Sequence, residues 1–164
     1  MRFQSVEQAI KFSFNISDRA EYARSDLMRV RGTSNEDLSP MDLHAQAAMI
    51  QSMIEKLPDS ERYAVLSMYG RGRARTDSMR ALADLLMPNL RGNLPSAREV
   101  RIILMHWSTK RPAIRAIAEE MGVSYRCVCG WRTAVLRSWI PVKCRAIESL
   151  HERMFGEGGF QLDE

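Results

Sequence analysis

Residues 114–133 read IRAIAEEMGVSYRCVCGWRT, and this stretch decides the fold. Two helices locked across a tight turn need a small residue where they meet, and Ala118 occupies that place. Four positions later the turn needs a residue that accepts positive φ, and Gly122 is there. Ile117, Met121, Val123, Val128 and Trp131 fall where apolar side chains would lock the helices together, and Ser124 stands at the N-cap of the second. An ordinary helical hairpin is the simpler alternative, but it does not require so many positions to be filled in register. The pattern predicts a helix-turn-helix. In that geometry the second helix lies in the major groove of double-stranded DNA and turns its N-terminal residues to the base edges.

On this geometry the outward residues are Ser124, Tyr125, Arg126, Cys129, Gly130 and Thr133, the candidate base-reading set. Arg126 suits bidentate reading of guanine, and Tyr125 suits a phosphate or a thymine methyl. Lys110, Arg111, Arg115, Arg132 and Arg137 surround the unit as candidate phosphate contacts, and Arg71, Arg73, Arg75 and Arg91 extend the set on two basic loops.

The charge distribution agrees. The net charge is +4, yet residues 71–145 carry 15 Lys/Arg against 5 Asp/Glu, while residues 1–70 carry 8 against 10 and residues 146–164 carry 1 against 5. Cations concentrated between acidic flanks form an electrostatic footprint for a polyanion.

Outside the motif nearly everything reads as helix, so the predicted class is all-α, a multi-helix protein with a C-terminal helix-turn-helix. Ser5 with Gln8 opens a helix to about Phe14, and Ser17 caps a second over about 18–30, followed by a polar linker at 33–37. Ser39, Pro40 and Asp42 start a helix running to about Lys56. Its stripe of Leu43, Ala47, Ile50, Ile54 and Leu57, widened by Met49 and Met53, suits either a core or a homodimer. Pro58 separates this helix from one over about 60–69. Residues 70–76 (GRGRART) read as a flexible basic loop, Asp77 or Ser78 as the cap of a helix to Met87, and residues 89–95 as a second loop. Ser96 and Glu99 box a helix to about Trp107, and a separate last helix begins at Pro141. Four segments follow: an N-terminal helical segment at 1–37, a helical region at 38–95, the DNA-binding unit with its C-terminal helix at 96–155, and a glycine-rich, acidic, flexible tail at 156–164. Residues 60–87 and 96–121 share a helix, basic loop, helix pattern, so the earlier copy could be a degenerate helix-turn-helix.

The segment VSYRCVCGWRTAVLRSW (123–139) resembles the recognition helix of region 4 in bacterial sigma factors, and LPDSERYAVLSMYG (57–70) resembles the start of that region. The resemblance implies binding to promoter-like DNA and action with RNA polymerase or its sigma factor. About 43 residues separate the two blocks, more than sigma factors use. Tyr125, Arg126, Cys129 and Gly130 replace the usual Arg, Glu, Arg and Gln, which implies a different target. Short chains with such units resemble phage regulators of late transcription, Q-type antiterminators among them. This implies a phage or prophage transcription regulator acting in antitermination or activation. Two rivals are a phage small-terminase-like DNA-packaging protein and a helical interaction module that binds no DNA.

Catalytic and metal chemistry find no pattern. Cys127 and Cys129 would point their thiols about 200° apart on one helix, and with Cys144, His106 and His151 they lack the paired spacing of a zinc site. GRGR at 70–73 lacks the Lys-Ser/Thr of a nucleotide-binding loop, and Glu119-Glu120 reads as a solvated face. The expectation is a protein that is not an enzyme and takes no cofactor or metal. No run approaches the roughly 20 apolar residues of a membrane span, and the N-terminus has no signal-peptide core. That predicts a cytoplasmic protein without a membrane partner, in the bacterial host cytoplasm if phage encoded.

Overall fold

The computed structural model describes residues 2–22, 39–90, 96–156 and 161–162. It is all-α apart from one two-residue strand pairing. Two compact units form, one from Met1–Leu57 with Ile147–Glu164, the other from Pro58–Ala146.

In the first unit, helices α1 (Val6–Tyr22) and α2 (Pro40–Glu55) pack together. Strand β1 (Arg2–Phe3) pairs in parallel with β2 (Gln161–Leu162), with Arg2 opposite Gln161 and Phe3 opposite Leu162. The expected flexible tail therefore contributes a short strand. The expected break between two N-terminal helices is absent, because Ser17 acts inside α1 rather than as a cap. Its hydroxyl accepts from Gln51 Nε2 of α2 at 2.6 Å, while the Ser13 hydroxyl donates to the Ile10 carbonyl at 2.8 Å. The rest of the expected second helix and the 33–37 linker lie outside the described residues.

Helix α2 starts as its sequence requires. The Asp42 N–H donates to Ser39 Oγ (3.2 Å), and the Asp42 carboxylate accepts from the Ser39 backbone N–H (3.0 Å) and hydroxyl (2.7 Å), with Pro40 in the first turn. Ala47, Ile50, Ile54 and Leu57 are buried with Val6, Ala9 and Ile10 in the same unit. Most of the stripe is thus core, with Leu43 half-buried, while Met49 points out at 53% exposure. The hydrogen bonds from the Ser39 hydroxyl and backbone hold the Asp42 carboxyl below its ordinary value. A depressed carboxylate stabilises the fold above its unfolded pKa and loses that effect as pH falls through the folded one. Thermal melts at pH 7 and pH 3 should therefore show a smaller acid-induced loss for Asp42→Asn than for the parent chain.

The second unit contains α3 (Asp59–Tyr69), α4 (Gly72–Leu86), a 3₁₀ turn (Met87–Asn89), α5 (Ala97–Thr109), α6 (Ile114–Met121) and α7 (Tyr125–Phe155) as far as Ala146. Its core joins Ala64 of α3, Leu82, Ala83 and Leu86 of α4, Val100, Ile103 and Leu104 of α5, and Val135, Trp139 and Val142 of α7. Trp107 meets Trp139 edge-on with ring centroids 4.6 Å apart.

Two expectations fail here. The GRGRART stretch is helix from Gly72 onward, so Asp77 and Ser78 are interior residues and the turn shrinks to Gly70 and Arg71. Ala and Arg are good helix formers, and Arg75 is anchored by donating to the Ser67 carbonyl (3.2 Å) and the Ser108 hydroxyl (2.9 Å). The break expected at Pro141 is also absent, and α7 continues through it. Proline removes one rung of the ladder, but Trp139 and Val142 on either side are buried and hold the helix in line. Among the described residues no helix is long and apolar enough to cross a membrane.

Candidate nucleic-acid interface

Helix α6, a short turn and α7 lie where the sequence places them. The turn is closed by a glycine-dependent cap. Gly122 sits at φ +64°, its N–H reaches the Glu119 carbonyl (3.2 Å), and the Val123 N–H reaches the Ala118 carbonyl (3.0 Å). Ser124 then caps α7, its hydroxyl accepting from the Cys127 N–H at 3.2 Å. A small second core of Ile117, Ala118 and Val128 locks the pair, with Met121, Val123 and Trp131 from the motif and Ile102 of α5 packed against it. All five locking residues read from the sequence meet in this cluster.

With that scaffold set, the outer face of α7 follows. Ser124, Tyr125, Arg126, Gly130 and Thr133 are exposed and Cys129 is half-buried. Thr133 turns its hydroxyl back to the Cys129 carbonyl (3.0 Å) and Ser124 spends its hydroxyl on the cap, so Tyr125 and Arg126 carry the free polar groups of this face.

The cations divide into two groups. Away from α6 and the first turns of α7, Arg62 pairs with Asp59 (2.7 Å), Arg73 with Asp77 (3.4 Å), and Arg145 with Glu61 (3.9 Å). Arg98 pairs with Glu120 of α6 at 3.3 Å. Arg111, Arg115, Arg126 and Arg137 are exposed and have no acidic partner among the described residues. Lys110 is also exposed, and its ammonium lies 5.0 Å from the Trp107 ring centroid. The segment presenting Lys110 and Arg111 is held firmly. Thr109 Oγ1 donates to the Arg111 carbonyl (2.8 Å) and accepts from the Arg111 N–H (3.2 Å), and His106 Nδ1 lies 2.6 Å from the Pro112 carbonyl. Ala113 follows at the start of α6 and offers no side-chain cap, leaving the first N–H groups of that helix open beside Arg111 and Arg115.

Other expected contacts stand differently. Arg132 is half-buried, and its Nε has no hydrogen-bond partner. Arg75 is spent on the fold, Arg73 is paired with Asp77, Arg71 is exposed, and Arg91 lies outside the described residues. Sequence reading passed over Arg80, exposed on α4 without an acidic partner. Glu119 and Glu120, read from the sequence as a solvated face, are both exposed.

The arrangement offers an exposed helix start, a hydrogen-bonded cationic loop and an uncapped helix N-terminus to a large anion. No protein-family model and no curated protein sequence matches the chain.

Proposed function

We infer that the unit Pro58–Ala146 is a helix-turn-helix DNA-binding module and that the protein is a sequence-specific transcription regulator of sigma-region-4-like type. The carrying observation is the separation of cations. Those around α6 and the start of α7 lack acidic partners, while most others in the unit are paired or hydrogen-bonded within it. A fold that neutralises most of its other cations, Arg80 excepted, and leaves these open suits an external polyanion. The open cations lie on the loop before α6, on α6 and on α7, whose sequence pattern belongs to a major-groove reader. The resemblance to sigma region 4 adds RNA polymerase as the partner and a phage regulator, in antitermination or activation, as the biological setting.

In this reading Lys110, Arg111, Arg115 and Arg137 hold phosphates, Arg126 reads a guanine edge, and Tyr125 contacts a neighbouring base or phosphate. Footprinting on DNA around its own operon, with and without RNA polymerase, tests the reading. Protection is expected at low salt, and no protection in either case would overturn it. Arg126→Ala should cost about 1–3 kcal/mol on the preferred site and relax the choice at one base pair, read by selection from a randomised duplex pool.

A further inference from the structure

Arg75, near the start of α4, is half-buried and has no acidic partner among the described residues. Its guanidinium instead joins the ends of two other helices. Nε donates to the carbonyl of Ser67, one of the last four of α3 (3.2 Å), and Nη2 donates to the hydroxyl of Ser108 in the last turn of α5 (2.9 Å). Both are helix C-termini, where the backbone dipoles favour a cation. The Ser108 hydroxyl gives its own proton to the Met105 carbonyl (3.1 Å), which leaves a lone pair for Arg75.

The chain just beyond Ser108 gives this tie its consequence. Lys110 ends α5 in the left-handed conformation, its N–H on the His106 carbonyl at 2.7 Å, and Arg111 comes next. Residues 110–113 then lead straight into α6, so a shift at the end of α5 displaces both cations. The apolar core holds α5 through Val100, Ile103, Leu104 and Trp107. The polar tie from Arg75 reaches one residue beyond that core, to the edge of the loop.

We propose that Arg75 is a positioning residue for the phosphate contacts. It fixes the end of α5, and through it the loop that presents Lys110 and Arg111, without touching DNA itself. The proposal rests on the DNA-binding reading for what the loop contacts. The forked guanidinium is what the task needs, since an ammonium supplies the charge without two donors held at a fixed angle.

Arg75→Lys and Ser108→Ala are the tests, the first keeping the charge and the second leaving Arg75 in place. On a random-sequence 20-base-pair duplex, each should lower affinity about three- to tenfold, and the two together no further than either alone. Each should also flatten the plot of log K against log salt by about one. Without DNA, the Lys110 and Arg111 amides, bonded to the His106 carbonyl and Thr109 Oγ1, should exchange their hydrogens at least about tenfold faster. Amides at Val135 and Trp139 in the core should keep their rates. Parent-like affinity in either variant, or unchanged exchange at the loop, would overturn the proposal. So would equal acceleration in the core, which marks a weaker unit rather than a released loop. Because exchange is read without DNA, a loop that loosens in a chain that binds no duplex would sink only the function proposed above.

Discussion

Trp139→Ala should destabilise the unit Pro58–Ala146 by about 3–5 kcal/mol, the range for removing a fully buried large aromatic. Trp139 is 1% exposed and belongs to the cluster that ties α7 to α3, α4 and α5, with Trp107 edge-on against it. A small domain holds only about 5–15 kcal/mol in total, so the variant should be largely unfolded or close to it at 37 °C. Trp139→Phe provides the control. The indole N–H is buried without an acceptor among the described residues, and phenylalanine removes that unsatisfied donor along with part of the bulk. Its cost should be well below that of alanine. Urea titration of the three chains measures both differences, and an alanine variant as stable as the parent would mean that α7 is held by something other than this core.

The second large effect concerns binding. Replacing Lys110, Arg111, Arg115 and Arg137 together with glutamine should lower affinity for every duplex, by at least on the order of a hundredfold at low salt. It should also flatten the plot of log K against log salt by about three to four, since each lost phosphate contact removes roughly 0.9 from the slope. The base preference that remains measurable should be unchanged, because in the proposed reading these side chains position the protein and do not read sequence. Fluorescence anisotropy over a salt series separates the two results. A variant with parent-like slope would place the polyanion elsewhere on the protein.

The parts of this fold legible in the sequence are those set by local chemistry. Ser39, Pro40 and Asp42 start a helix within three residues of one another, Ser96 and Glu99 do the same, and Gly122 ends α6 by a conformation that few other residues adopt. The locking residues from Ile117 to Trp131 were legible because helical period and contact partner lie within the same short stretch. What escaped depends on distant partners. Ser17 reads as a cap, yet its hydroxyl meets Gln51, 34 residues on, inside an unbroken helix. Residues 70–76 read as a loop from their glycines, yet Arg75 is fixed by Ser67 and Ser108, and the second of these is 33 residues away. Pro141 reads as a helix start and is carried inside α7 by its buried neighbours. The candidate site divides the same way. Which residues point outward on α7 follows from periodicity, but which cations are already neutralised depends on acids brought close by folding.

The open cations have a further consequence for the protein when it is alone. The unit Pro58–Ala146 carries 16 Lys/Arg against 7 Asp/Glu, and like charges in such excess repel. Any anion that binds the folded unit relieves that repulsion and stabilises it by mass action. If DNA is the ligand as proposed, added salt acts with opposite signs on the same side chains: it screens them from DNA and it steadies the fold that presents them. On the proposed reading, polyanion binding should help hold the unit together, and thermal melts of the free protein should rise as salt is added to a low-salt buffer.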